Sequence, residues 1–175
     1  MAADGQTLEF PAVRDSGREL LARQLLRRFG IRVERVDTWR FGRTESANDL
    51  ARVLAEPTEL WMSRFRPTDK QLVFVERPID ALSYDQVSGL GQSCYMAVGS
   101  LPPRQRRMIG HVLRELPAGV TVVLAFGDDE RGRRLADQIQ ELARGLPVVR
   151  HCPAAGGSWN DHVRTQECGR NARVA

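Results

Sequence analysis

Residues 119–134 read GVTVVLAFGDDERGRR, and the two halves of that stretch obey different rules. Val120, Val122, Val123, Leu124 and Phe126 make an apolar, β-branched run of the length expected for a strand covered on both faces. The run stops at Gly127. Asp128 and Asp129 follow side by side, and DERGRRLADQIQELARGL then continues with helical periodicity. A buried strand that ends in an acidic turn and passes into a helix is the repeating unit of parallel sheets with helical crossovers.

The same unit recurs on either side. Upstream, QLVFVE (71–76) is a continuous apolar strand, and PIDALSYDQVSGL (78–90) is a helix with Pro78 at its first position and Ile79, Leu82 and Val87 along one stripe. CYMAVGS (94–100) is the next strand, and PPRQRRMIGHVLREL (102–116) is a helix opened by Pro102 or Pro103. Downstream, PVVRHC (147–152) is a short fourth strand, and PAAGGSWNDHVRTQ (153–166) is a loop leading into a final helical turn or two. The pattern predicts an α/β fold with a mostly parallel four-stranded sheet flanked by helices over residues 67–166, followed by a flexible tail, 167–175.

Residues 1–66 predict a mainly helical N-terminal extension. In DSGRELLARQLLRRFG (15–30), Leu20, Leu21, Leu25 and Leu26 recur at helical spacing, and Gly30 sits where the helix would end. IRVERV (31–36) alternates as a half-exposed strand, and TESANDLARVLAEP (44–57) offers a second helix stopped by Pro57. TELWMSRFRPTDK (58–70) reads as either a short helix or a strand, then a turn at Pro67, Thr68 and Asp69.

Composition narrows the function. The 175-residue chain is 42% hydrophobic, enough for a core, and contains no apolar run of about 18 residues, the length a transmembrane helix requires. No secretory signal pattern opens it, so a cytoplasmic setting without a membrane partner is expected. Cys94, Cys152 and Cys168 and the three histidines lack metal-site spacing, so a thiolate or imidazole centre is not expected. Net charge is +4, and Lys70 is the single lysine among 26 basic residues. Arginine's planar fork suits bidentate phosphate contact, although a GC-rich coding bias yields the same excess.

In parallel sheets, ligands gather beyond the carboxyl ends of the strands. Glu76 closes the first strand, Asp128 and Asp129 follow the third, Asp161 follows the fourth, and Asp80 lies one helical turn beyond Glu76. Converging carboxylates suit a hard cation such as Mg²⁺, which can activate a bound water and neutralise phosphate charge. Acids at these positions also serve simply as helix caps.

Four segments, VFVERPIDALSYDQV, AVGSLP, VVLAFGDDERGRRLADQI and VVRHCPAAGGSWNDHV, together resemble the successive motifs of a Toprim domain, the fold shared by topoisomerases, bacterial primases and related nucleases. The likeness covers about residues 70–166 and is nearest to Toprim-like domains of plasmid primases and of mobilisation proteins of conjugative elements. It implies Mg²⁺ (or Mn²⁺), phosphodiester chemistry on DNA or RNA, Glu76 as general acid/base with Asp80 beside it, and Glu76, Asp128, Asp129 and Asp161 around the metal. The family's first paired aspartate falls on Gly127, and its later lysine and aspartate fall on Gly157 and Ser158, while Trp159, Asn160 and Asp161 remain. Weakened metal binding follows. Arg77, Arg131, Arg133, Arg134 and Arg104 are the candidates for phosphate contact, while Arg106 and Arg107 fit a solvated helix face. Trp159 is a base-stacking candidate or a plug against the sheet.

Two functions stay open at this point. One is a Mg²⁺-dependent nucleotidyltransferase or phosphodiesterase of plasmid or mobile-element DNA replication or transfer. The other is an inactive module that binds nucleic acid or a replication or mobilisation protein.

Overall fold

The computed structural model describes residues 24, 26–32, 60–88, 91–154 and 156–171. Its elements are β1 (Trp61–Met62), β2 (Gln71–Val75), α1 (Pro78–Ser88), β3 (Ser93–Ala97), α2 (Pro103–Arg114), β4 (Thr121–Leu124), α3 (Glu130–Leu142), β5 (Val148–Arg150) and α4 (Trp159–Asn171). The sheet is five-stranded in the order β1-β3-β2-β4-β5. β2 pairs in parallel with both β3 and β4, β5 pairs in parallel with β4, and β1 runs antiparallel along β3. The expected four strands are all present. The fifth comes from the ambiguous stretch 58–70, where Trp61 pairs with Ala97 and Met62 with Met96.

Strand periodicity sorts the core into two layers. Val73, Val75, Tyr95, Ala97 and Val123 face Ile79, Leu82 and Tyr84 of α1 and Trp159 and Val163 of α4. Leu72, Phe74, Cys94, Met96, Val122 and Leu124 face Ile109 and Leu113 of α2 and Leu135 and Ile139 of α3. Burying one aliphatic side chain of this kind stabilises the fold by about 1.5–3 kcal/mol. The three central strands thus have no wet face, which is why their sequence reads as unbroken apolar runs.

The final helix is longer than the turn or two expected: α4 extends to Asn171, so residues 167–171 continue it. Of the N-terminal extension, residues 26–32 belong to the same core. Leu26 and Ile31 are buried with the α1 and α4 layer. Gly30, at φ +73°, ends the helical turn there as the sequence suggests. Gly30 N–H bonds Arg27 O and Ile31 N–H bonds Leu26 O, the paired arrangement that closes helices on a left-handed glycine. The strand at 31–36 lies mostly, and the second helix at 44–57 entirely, outside the described residues. Among the described residues no helix is long and apolar enough to cross a membrane.

Candidate nucleic-acid interface at the carboxyl rim

Parallel pairing carries the chain ends of β2, β3 and β4 to one edge of the sheet, so residues 76, 99 and 127–129 come together. The ladder runs one step past the strands: Gly99 N–H donates to Glu76 O at 2.8 Å, and Ala125 N–H to Phe74 O at 2.8 Å. Glu76 and the acidic turn, far apart in sequence, therefore share a lip.

Glu76 is half-buried there, its side chain 25% exposed, with Oε1 3.1 Å from Nε of Arg131. Burial lifts its carboxyl above the usual glutamate value. Arg131 and Arg77 pull it back, while the negative charges of Asp80 and Asp129 push it further up. Arg131 reaches across from the start of α3 and also donates from Nη2 to Gly99 O at 2.7 Å. One guanidinium thus ties three loops of the rim together.

Asp80 is 2% exposed. Its Oδ2 pairs with Arg77 Nε at 3.0 Å, and its Oδ1 accepts from the Asn160 backbone N–H at 3.2 Å. The Asn160 amide group donates to Phe29 O at 2.8 Å and to Ser83 Oγ at 3.1 Å. Asp80, Ser83 and Asn160, drawn from two stretches far apart in sequence, thus form one buried network that fixes the start of α4 and the 26–32 turn against α1.

The remaining acids serve backbone amides. Asp129 caps α3, its Oδ1 accepting from Gly132 N–H at 2.6 Å. Ser158 and Asp161 form a reciprocal capping box on α4: Ser158 Oγ accepts from Asp161 N–H at 3.1 Å, and Asp161 Oδ2 accepts from Ser158 N–H at 3.1 Å and Oγ at 2.7 Å. Those two bonds from Ser158 hold the Asp161 carboxyl below the usual aspartate range. Asp128 points outward to Arg133 Nη1 at 3.1 Å.

Gly127 explains why the turn lacks a third carboxylate. A Cβ added to it would stand 2.7 Å from the Gly157 carbonyl oxygen, closer than carbon and oxygen can sit. Gly157 itself takes φ +71° beside Asp161. A Cβ on Gly132 would collide with the Gly127 carbonyl. Three backbones are pressed together, and Arg150 braces them from β5, donating to Gly127 O at 3.0 Å and Gly132 O at 3.4 Å. The sequence reading had no role for Arg150 or for this closure. The available signal was the coincidence of Gly127 with the pair Gly156–Gly157, each in a different acidic loop.

Among the described residues no three His, Cys, Asp or Glu side chains stand where they could share a metal ion. At the rim, Asp129 and Asp161 serve as caps and Glu76, Asp80 and Asp128 as arginine partners, and so placed they do not form an oxygen-rich Mg²⁺ set.

Of the candidate phosphate contacts, Arg77 pairs with Asp80, Arg131 with Glu76, Arg133 with Asp128 and Arg134 with Glu130. Arg104 is exposed and has no ion pair among the described residues. Trp159 is a plug: it is 6% exposed, its Nε1 donates to Ala125 O at 2.9 Å, and its ring meets Tyr84 edge-on at 4.8 Å.

A family model described as Toprim-like matches residues 73–163, just over half of the chain. The match spans β2 to α4 and so covers every strand end that builds the rim. No curated protein matches the chain.

Proposed function

The chain belongs to the Toprim-like family, and from that premise we propose that it engages DNA or RNA at the carboxyl rim through arginine without Mg²⁺-dependent strand chemistry. Membership implies a nucleic-acid-related function of primase or nuclease type, and Toprim domains generally bind Mg²⁺. The observation that carries the reading is the contact at Gly127: a main-chain carbonyl from the α4 loop fills the space a metal-binding side chain there would need. On this reading, the missing carboxylate is built into the packing of two loops. We assign the protein to plasmid or mobile-element DNA replication or transfer, in the cytoplasm and beside a replication or mobilisation protein. That assignment rests on the likeness of its motifs.

A second reading, weakened Mg²⁺- or Mn²⁺-dependent phosphodiester chemistry, draws support from Glu76. Its carboxyl is half-buried and raised, as a general acid/base requires. One pair of measurements separates the two. On the first reading, millimolar Mg²⁺ or Mn²⁺ leaves the thermal midpoint unmoved, and binding to labelled DNA or RNA at low salt survives a chelator. A midpoint that climbs with metal concentration, as specific binding demands, or nucleic-acid binding abolished by the chelator, overturns the first reading and favours the second.

A further inference from the structure

On the outer layer of the α2 and α3 side, the two helices treat their arginines differently. Along α3, Arg133 pairs with Asp128, Arg134 with Glu130, and Arg144, just past its end, with Glu141. Helix α2, PRQRRMIGHVLR, contains no acid. Its Arg106 leans to Glu141 of α3 at 3.7 Å. Arg104, Arg107 and Arg114 are exposed, and none of them has an ion pair among the described residues.

Those three are not scattered. Ile109 and Leu113 point into the core, and at 100° per residue Arg104, Arg107, His111 and Arg114 fall on the opposite arc with Met108. Met108 is 48% exposed among them. Gly110 leaves room on the flank, and Arg114 Nη1 folds back to 3.6 Å from where a Cβ there would stand. That places its charge one turn nearer Arg107. From Arg104 to Arg114 the stripe runs about 15 Å at the helical rise of 1.5 Å per residue. It starts at the rim, since α2 follows the loop in which Gly99 accepts from Arg131.

We propose that the exposed arc of α2 is a track for the sugar–phosphate backbone of a nucleic acid leaving the Glu76 rim, with Arg104, Arg107 and Arg114 meeting successive phosphates. The proposal rests on the nucleic-acid reading above and extends it to a surface that the motifs do not include. Exposed Glu115 caps the end of the helix beside Arg114, but none of the three cations has an ion pair among the described residues, so they repel one another and a polyanion relieves that repulsion. Met108 and His111, interleaved between them, offer surface for sugar and base. A lipid surface is a poorer fit, because the arc carries one apolar side chain and no wedge that could enter a bilayer.

The test compares the full chain with Arg104→Gln/Arg107→Gln/Arg114→Gln and with a control, Lys70→Gln/Arg164→Gln, two exposed cations off the α2 and α3 side, using a fluorescent single-stranded oligonucleotide across a salt series. The track predicts that the triple variant binds at least about tenfold more weakly at low salt, and that its slope of log K against log salt shallows by about 2, from three contacts at roughly 0.7 each. The control stays within about twofold, as Lys70 precedes β2 at the end of the sheet away from the rim and Arg164 lies on α4, against the other face. A triple variant with the wild-type slope overturns the track while leaving the nucleic-acid reading intact. Equal losses in triple variant and control also overturn it. Wild type that fails to bind at low salt, or binds only anionic vesicles, overturns that reading and the track with it. Protection of the α2 arginines from phenylglyoxal by the oligonucleotide gives an answer on unmutated protein, and absence of protection counts against the track.

Discussion

The loop after β2 and the loop after β4 end neighbouring strands on the same lip, yet they are held in opposite ways. The first, Glu76–Arg77–Pro78, is anchored by side chains: Arg131 on Glu76, Arg77 on Asp80, and Asp80 on the Asn160 amide. The second, Gly127–Asp128–Asp129, is anchored by bare backbone, Gly127 against Gly157 and Gly132 against Gly127. A loop fixed by side chains can keep a titratable group at its tip and still be rigid. A loop fixed by glycine contact is rigid only as long as nothing projects from it. The exclusion of a side chain is thus a property of one loop, while its neighbour keeps a half-buried carboxyl.

The hardest way to break this contrast is to give the second loop a side chain. Gly127→Ala places a carbon 2.7 Å from the Gly157 oxygen, and since both partners are backbone, the α4 loop must move. We expect a loss of about 2–3 kcal/mol, within the usual range for overpacking, read as a fall in the denaturant midpoint. Gly127→Asp should lose at least as much and should gain no Mg²⁺-dependent stabilisation. A Gly127→Asp protein that is as stable as wild type and is further stabilised by Mg²⁺ would show that the closure yields easily, and the contrast would collapse.

The first loop breaks through its polar network. Asn160→Ala strands Phe29 O in a part-buried setting and removes the donor to Ser83 Oγ in a buried one. The expected cost is about 2 kcal/mol, typical of leaving buried polar groups unpaired. Hydrogen exchange should rise at Gly30 and Ile31 as the 26–32 turn loosens from α1. Asn160→Asp should be worse than Ala, because it brings a second negative charge beside Asp80. If exchange at residues 30 and 31 stays at the wild-type rate, the turn is held by Leu26 and Ile31 and by Gln86, which donates to Gly30 O at 3.1 Å and accepts from Arg32 N–H at 2.8 Å.

How far the sequence could be read follows from which interactions are local. Strands β2, β3 and β4 were legible because burial on both faces imposes an apolar run after the first residue of each, and the helices because Pro78, Pro103 and the stripes of α2 and α3 are local signals. β1 is only Trp61–Met62, too short for periodicity, and its existence depends on pairing with β3. The rim acids were located by the same reasoning, since strand ends in a parallel sheet share an edge. Their occupations were not legible. Whether Asp80 meets solvent or the Asn160 amide depends on a residue 80 positions away, and whether Gly127 has space depends on Gly157. Arg150 was invisible for the same reason: its targets are main-chain oxygens, which carry no sequence signature.

A smaller effect separates the acids that cap from the acid that does not. Ser158→Ala removes one half of the capping box on α4 and should cost about 1 kcal/mol. With the Ser158 hydroxyl gone, the Asp161 carboxyl should titrate closer to an ordinary aspartate. The bond to Ser158 N–H remains, so the return should be incomplete, and NMR titration of Asp161 in the variant checks it. A carboxyl unmoved by the substitution would mean that the backbone bond alone holds it down.

The smallest effect is the most specific to the first loop, because it concerns the sign of a pH dependence. Glu76 has a raised carboxyl, so over the interval from the ordinary glutamate value up to its own, the folded protein holds a proton that the unfolded chain has lost. Stability contributed by protonated Glu76 is therefore complete at acid pH and declines as pH climbs through that interval. The penalty of the buried charge persists at neutral pH. Glu76→Gln carries no such charge, so its melting temperature relative to wild type should be more favourable at pH 7 than at pH 3.5. Arg131→Gln should act in the opposite sense on wild-type Glu76: it removes the largest charge lowering that carboxyl and should send its titration higher still. Asp161, held low, behaves inversely, contributing stability at neutral pH that is lost only as the solution is acidified below the usual aspartate value. Were the Glu76→Gln difference the same at both pH values, the carboxyl would be an ordinary surface acid. The first loop would then have no more chemistry in it than the second.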